Sequence, residues 1–175
     1  DKGGRLYHWC KCLPSVNHVI ACEIRGTPYA HLFEQAFIDI AFKWLPCSSY
    51  ELATVQEVAR WLPKWKKPID VLFIDGDKTK FDLDFRVYLP LMNPLGLVFF
   101  HDITDREPKA SYEKVIKEGG YAHREIIDRT ESVEAVTEEK LGVSPANPYN
   151  SWLRHWHGRS CGVGVIYLGS QEAKK

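Results

Sequence analysis

The sequence predicts a three-layer α/β fold, and three observations lead there. Short apolar strands alternate with amphipathic helices along most of the chain. Two runs, Val71 to Ile74 and Leu97 to Phe100, are apolar without alternation, as in parallel strands buried on both faces. Three runs also end abruptly in polar residues: Glu23, then Asp75-Gly76-Asp77-Lys78, then His101-Asp102. Ligands of open α/β sheets bind beyond the carboxyl ends of the strands. Those three ends are therefore expected at one edge, with the chemistry around Asp75.

In chain order, Leu6, Trp9, Cys10 and Leu13 fall at helical spacing, which predicts a helix over 5–13 that Pro14 ends. Asn17 to Glu23 reads as a strand, and Arg25-Gly26-Thr27-Pro28 as a turn. Leu32, Phe33, Ala36, Phe37 and Ile40 mark a second helix, and Phe42 to Cys47 a weak strand. Ser48-Ser49 is expected to cap a helix carrying Leu52, Val55, Val58 and Leu62 that stops before Pro63. Lys64 to Pro68 is a basic loop leading into the central strand. Phe81, Phe85, Tyr88 and Leu91 predict a helix closed by Asn93-Pro94, and Gly96 to Phe100 the next strand. A helix over 110–118 closed by Gly119-Gly120, a strand from His123 to Asp128 and a last strand from Cys161 to Leu168 follow. Between the last two strands lies a polar, turn-rich stretch holding Trp152, His155, Trp156 and His157.

The 175 residues suffice for one domain with a substantial core. Lys and Arg number 23 and so do Asp and Glu, a balance that points to neither nucleic acid nor membrane as partner. No apolar stretch is long enough to span a bilayer. Five cysteines at irregular spacing read as reduced thiols of a cytoplasmic protein. A zinc site from Cys10, Cys12, His155, His157 and Cys161 is disfavoured, because Cys-x-Cys is too tight for the usual knuckle.

Ile74-Asp75-Gly76-Asp77-Lys78, Leu89-Pro90-Leu91 with Asn93-Pro94-Leu95-Gly96, and Val98-Phe99-Phe100-His101-Asp102-Ile103 together resemble class I S-adenosylmethionine-dependent methyltransferases. The likeness is to the cephalosporin-hydroxylase-like and rhamnosyl-methyltransferase-like branch. It runs from Gly3 to Leu168 and is weakest across 130–160, which reads as an insertion or lid on a single domain spanning 1–175. Lys78 stands where that branch has histidine, and makes the motif similar to the Asp-x-Asp-Lys of metal-dependent caffeoyl-CoA O-methyltransferases. The resemblance implies a Rossmann-like sandwich with a mostly parallel sheet, an antiparallel last strand, and a first central strand preceding Asp1. Of the glycine-rich cofactor loop that follows that strand, only Gly3 and Gly4 in Asp1-Lys2-Gly3-Gly4-Arg5 are represented.

The resemblance also implies the site. Glu23 would accept hydrogen bonds from the ribose of S-adenosylmethionine, and Ser48 and Ser49 would lie at the adenine. Asp75 would meet cofactor or metal, and Asp102 would share a magnesium or manganese site with it; His101 is a third candidate ligand from its place on the strand end, where the family's sites favour oxygen. Lys78, if its pKa is depressed, would take the acceptor's proton. The expected reaction is O-methylation of a small molecule or sugar hydroxyl, with homo-oligomerisation left open. A non-catalytic scaffold of the same fold is the competing expectation. A dinucleotide oxidoreductase is disfavoured because no Gly-x-Gly-x-x-Gly follows a strand.

Overall fold

The computed structural model describes residues 10–11, 15–24, 30–127 and 162–170. Its elements are β1 (His18–Cys22), α1 (Ala30–Ala36), β2 (Ala41–Leu45), α2 (Leu52–Trp65), β3 (Ile69–Ile74), α3 (Phe81–Tyr88), β4 (Met92–His101), α4 (Arg106–Gly119), β5 (Ala122–Ile127) and β6 (Gly162–Tyr167). A 3-10 turn at Leu89–Leu91 joins α3 to β4. The helix expected over 5–13, the loop Gly3-Gly4 and the stretch 130–160 lie outside the described residues, apart from Cys10 and Lys11.

β1 and β2 are parallel and form one ladder. The second sheet has the order β3-β4-β6-β5, with β3 and β4 parallel and β6 antiparallel to both its neighbours. The expected α/β sheet with an antiparallel last strand is thus observed, in two hydrogen-bonded pieces. Side chains join the pieces. Leu45, Val58 and Tyr88 are buried together, with Ile20, Cys22, Ile69 and Leu72 packed on them, so β1, β2 and α2 share a core with β3 and α3. A larger core under β4 gathers Ile74, Phe81, Phe85, Phe100, Tyr112 and Ile166.

The expectation that the central strand is buried on both faces is corrected. Ile74 is 3% exposed, but Val71 is 44% exposed. Both cores take in Leu72 and the larger one takes in Ile74, so the described helices cover that face and not the one bearing Val71.

Local chemistry also moves several boundaries. α2 runs through Pro63 to Trp65, because a proline in the last turn loses one hydrogen bond while Lys66, in the left-handed region at φ 55°, closes the helix onto Leu62 and Pro63 carbonyls. Ser48-Ser49 does not cap it; the N-cap is Glu51, without a side-chain cap bond. β4 starts at Met92 rather than Gly96, and Asn93 to Gly96 forms an irregularity in its pairing with β3, whose partners jump from Met92 to Leu97. Asn93 donates to the Asp70 carboxylate at 2.7 Å and accepts from Leu95 N at 3.0 Å, which pins that bulge. α4 begins at Arg106 and closes on Gly120 at φ 64°, as the paired glycines lead one to expect.

Candidate active site

β3 ends at Ile74, and the next four residues make a tight turn. Asp77 builds it, accepting from Thr79 N at 3.0 Å and from the Thr79 hydroxyl at 2.8 Å. That turn brings Lys78 back over the strand end, where its ammonium meets Asp75 Oδ1 at 2.8 Å. The neighbouring parallel strand supplies the other half. Ile74 pairs with Phe100, so β4 delivers His101 and Asp102 beside Asp75. Asp102 has φ 59°, a left-handed conformation that aspartate tolerates better than most residues.

The result is a compact charge cluster. Lys78 Nζ lies 2.6 Å from Asp102 Oδ2, bridging the two carboxylates. His101 Nδ1 lies 2.7 Å from Asp102 Oδ1 and 3.2 Å from Asp75 Oδ1. The His101 side chain is 8% exposed, Asp102 16%, Asp75 29% and Lys78 32%, so the cluster opens to solvent on the lysine side.

Electrostatics follow from that geometry. Burial pushes both carboxyls up, but His101 and Lys78 outweigh it, leaving Asp75 below its ordinary value and Asp102 far below. Burial likewise disfavours the charged form of Lys78, and the two carboxylates outweigh it, so its pKa is raised. The expected role of Lys78 as proton acceptor needs a depressed pKa, whereas the two carboxylates favour its charged form. An ammonium clamped between two anions holds its proton.

Asp75, His101 and Asp102 each offer one ligand atom within 4.8 Å of the others, the one such group of three among the described residues. Two carboxylates and an imidazole suit magnesium or, better, manganese in donor chemistry. Lys78 engages one oxygen of each of the same two carboxylates.

Glu23 and Ser48-Ser49 follow β1 and β2. Glu23 N continues the ladder onto Leu45 O at 3.1 Å. The Ser49 carbonyl accepts from Tyr88 Oη at 2.7 Å, and its hydroxyl donates to the Asp84 carboxyl. A Cβ at Gly76 would sit 3.7 Å from Ser49 Oγ and 3.8 Å from Asp84 Oδ2, so the β2 end reaches the turn after β3. Ser48 Oγ is buried and has no hydrogen-bond partner among the described residues. A buried hydroxyl in that state fits a polar ligand at this strand end.

Asp84 was not legible as a site residue from strand ends alone. Phe81, Asp84, Phe85 and Tyr88 are the buried positions of α3, so a carboxylate on the core face was the available signal. Asp84 is 3% exposed; burial, with a smaller push from Asp77, raises its pKa to about 6. Nearby Cys22 is pushed up to about 12, chiefly by burial, which fits an unreactive thiol. Cys10, Cys22 and Cys47 are free, whereas Cys12, His155, His157 and Cys161 of the zinc reading lie outside the described residues.

Comparison with known proteins gives two findings. Residues 2–103, more than half of the chain, match a family described as a methyltransferase domain. The fold is similar to a solved domain from Corynebacterium diphtheriae assigned as a precorrin-6Y C5,15-methyltransferase, with TM-score 0.53 and 12% identity, covering 95% of this chain and 84% of that one. At that identity the likeness speaks for the fold alone. No curated protein matches the chain. No described helix is long and apolar enough to cross a membrane.

Proposed function

The chain belongs to the methyltransferase-domain family, and on that premise we propose that it moves the methyl group of S-adenosylmethionine to a hydroxyl of a small molecule or glycan. The observation that carries the reading is the carboxylate pair Asp75 and Asp102, held at adjacent parallel strand ends with His101 and Lys78. Glu23 binds the ribose, the buried Ser48 hydroxyl and Ser49 line the adenine end, and Gly3-Gly4 belong to the loop around the methionine. The balanced charge of the chain supports an acceptor that is neither nucleic acid nor membrane.

Methyl transfer from a sulfonium is an in-line displacement that depends on positioning. The acceptor oxygen forms a bond to the methyl carbon as the carbon–sulfur bond breaks, and S-adenosylhomocysteine leaves. The hydroxyl becomes acidic as it is alkylated, so a carboxylate of low pKa is base enough for its proton. Asp75, ionised at neutral pH and 29% exposed, takes that role in place of Lys78. Lys78 acts as a positioning residue, fixing the separation of the two carboxylates. A magnesium or manganese ion, when bound, supplies a Lewis acid that lowers the pKa of the hydroxyl; Asp75, Asp102 and His101 are the residues that would hold it.

Transfer of labelled methyl from S-adenosylmethionine to a panel of hydroxyl acceptors tests this. Asp75→Asn should cost about 10²- to 10⁴-fold in turnover while cofactor affinity changes little. Unchanged turnover in that variant sinks the assignment, and a protein that binds no cofactor is the non-catalytic scaffold.

A further inference from the structure

We propose that Lys78 is the built-in counter-ion of the acid pair and competes with divalent cations for it, so that one side chain sets how strongly this site binds metal. It rests on the methyl-transfer reading, since the competition matters only where an acceptor hydroxyl is activated.

The ammonium already stands at the ligand atoms. It approaches Asp75 Oδ1 to 2.8 Å and Asp102 Oδ2 to 2.6 Å, and both carboxylates belong to the group of residues able to hold an ion. A divalent ion held by those carboxylates would stand as a double charge against the ammonium. The two cations repel and compete for the same two carboxylates. Lys78 is also held in place at low entropic cost. The Asp77–Thr79 bonds fix its turn, it lies only three residues from Asp75, and Nζ sits 5.2 Å over the Phe81 ring. A tethered cation of this kind competes at high effective concentration, which a free ion must exceed.

Two consequences separate this from an ordinary metal centre. The protein as it exists is a weak binder of divalent ions, and removing the charge at position 78 turns the same three residues into a stronger site. Replacing one cation by another does not, because an arginine keeps the charge among the carboxylates.

The test is manganese binding followed by the electron paramagnetic resonance signal of free Mn2+, on wild type, Lys78→Met, Lys78→Gln and Lys78→Arg. Circular dichroism checks folding of each, and S-adenosylmethionine titration is run on the same preparations. Lys78→Met and Lys78→Gln should bind Mn2+ at least about tenfold more tightly than wild type, with Lys78→Arg as weak as wild type. Glutamine keeps hydrogen bonds to the acids and serves if the methionine variant does not fold. Wild type binding as tightly as the neutral variants overturns the proposal, as does an absence of binding in a folded neutral variant. Failure of the functional reading shows differently: cofactor binding is lost while the Mn2+ series still behaves as stated.

Discussion

Asp84 sets the pH behaviour to be expected of this chain. Its carboxyl is 3% exposed on the apolar face of α3, its Oδ1 has no partner among the described residues, and burial lifts its pKa from 3.8 to about 6. A raised folded-state pKa means that the folded protein binds the proton more tightly than the unfolded chain. The resulting stability is fully present below about pH 4 and is lost as pH rises through about 6. Asp84→Asn should remove that loss. Relative to wild type it should gain stability between pH 4 and 7, by up to about 3 kcal/mol, in urea melts taken at four pH values. A difference between the two proteins that stays constant over that range contradicts the assignment. Asp75 and Asp102 act in the opposite sense, since their depressed values give stability present above the ordinary carboxylate range and lost in acid. At this scale the sequence showed which residues carry charge, but not which hold protons. The motif allows Lys78 as a base only with a depressed pKa, and two carboxylates, one from the next strand, act against that. That contact depends on register, which no local pattern states.

At the scale of elements, the site depends on how β3 and β4 pair. Their register brings Ile74 opposite Phe100, and it is reached only after the irregularity from Asn93 to Gly96. A Cβ at Gly96 would fall 2.9 Å from Asn93 O and 3.0 Å from Asp70 O, both backbone atoms that cannot step aside. Gly96→Ala should therefore destabilise the protein by about 1–3 kcal/mol and disturb the His101–Asp102 end of the strand. Thermal melts and manganese affinity check the two effects together; a variant as stable as wild type removes the claim. Pro94-Leu95-Gly96 was readable as a turn, yet the strand starts before it, because a bulge lets β4 pair across the proline. The α2 boundary failed for a related reason. Pro63 reads as a stop, but Lys66 closes the helix one turn later. The serines after β2 read as caps, but Ser49 meets Tyr88 and Asp84, partners distant in sequence.

At the scale of the molecule, alternation of strands and helices and the polar strand ends were enough to anticipate the α/β architecture and the charged edge. What they could not convey is how unevenly the sheet is covered. Val71 belongs to an apolar run, yet among the described residues the helices that bury Leu72 and Ile74 leave it 44% exposed. The two ladders meet through the Leu45, Val58 and Tyr88 core, so the ends of β1 and β2 approach the turn after β3. On the proposed reading the cofactor would run from Glu23 and Ser48 towards the turn after β3, with the acceptor against the acid pair. Calorimetric titration of S-adenosylmethionine into the full-length protein tests that arrangement most directly, with Glu23→Ala alongside. One cofactor per chain for wild type and at least tenfold weaker binding for Glu23→Ala is the predicted result; no binding by a folded wild-type protein would contradict it.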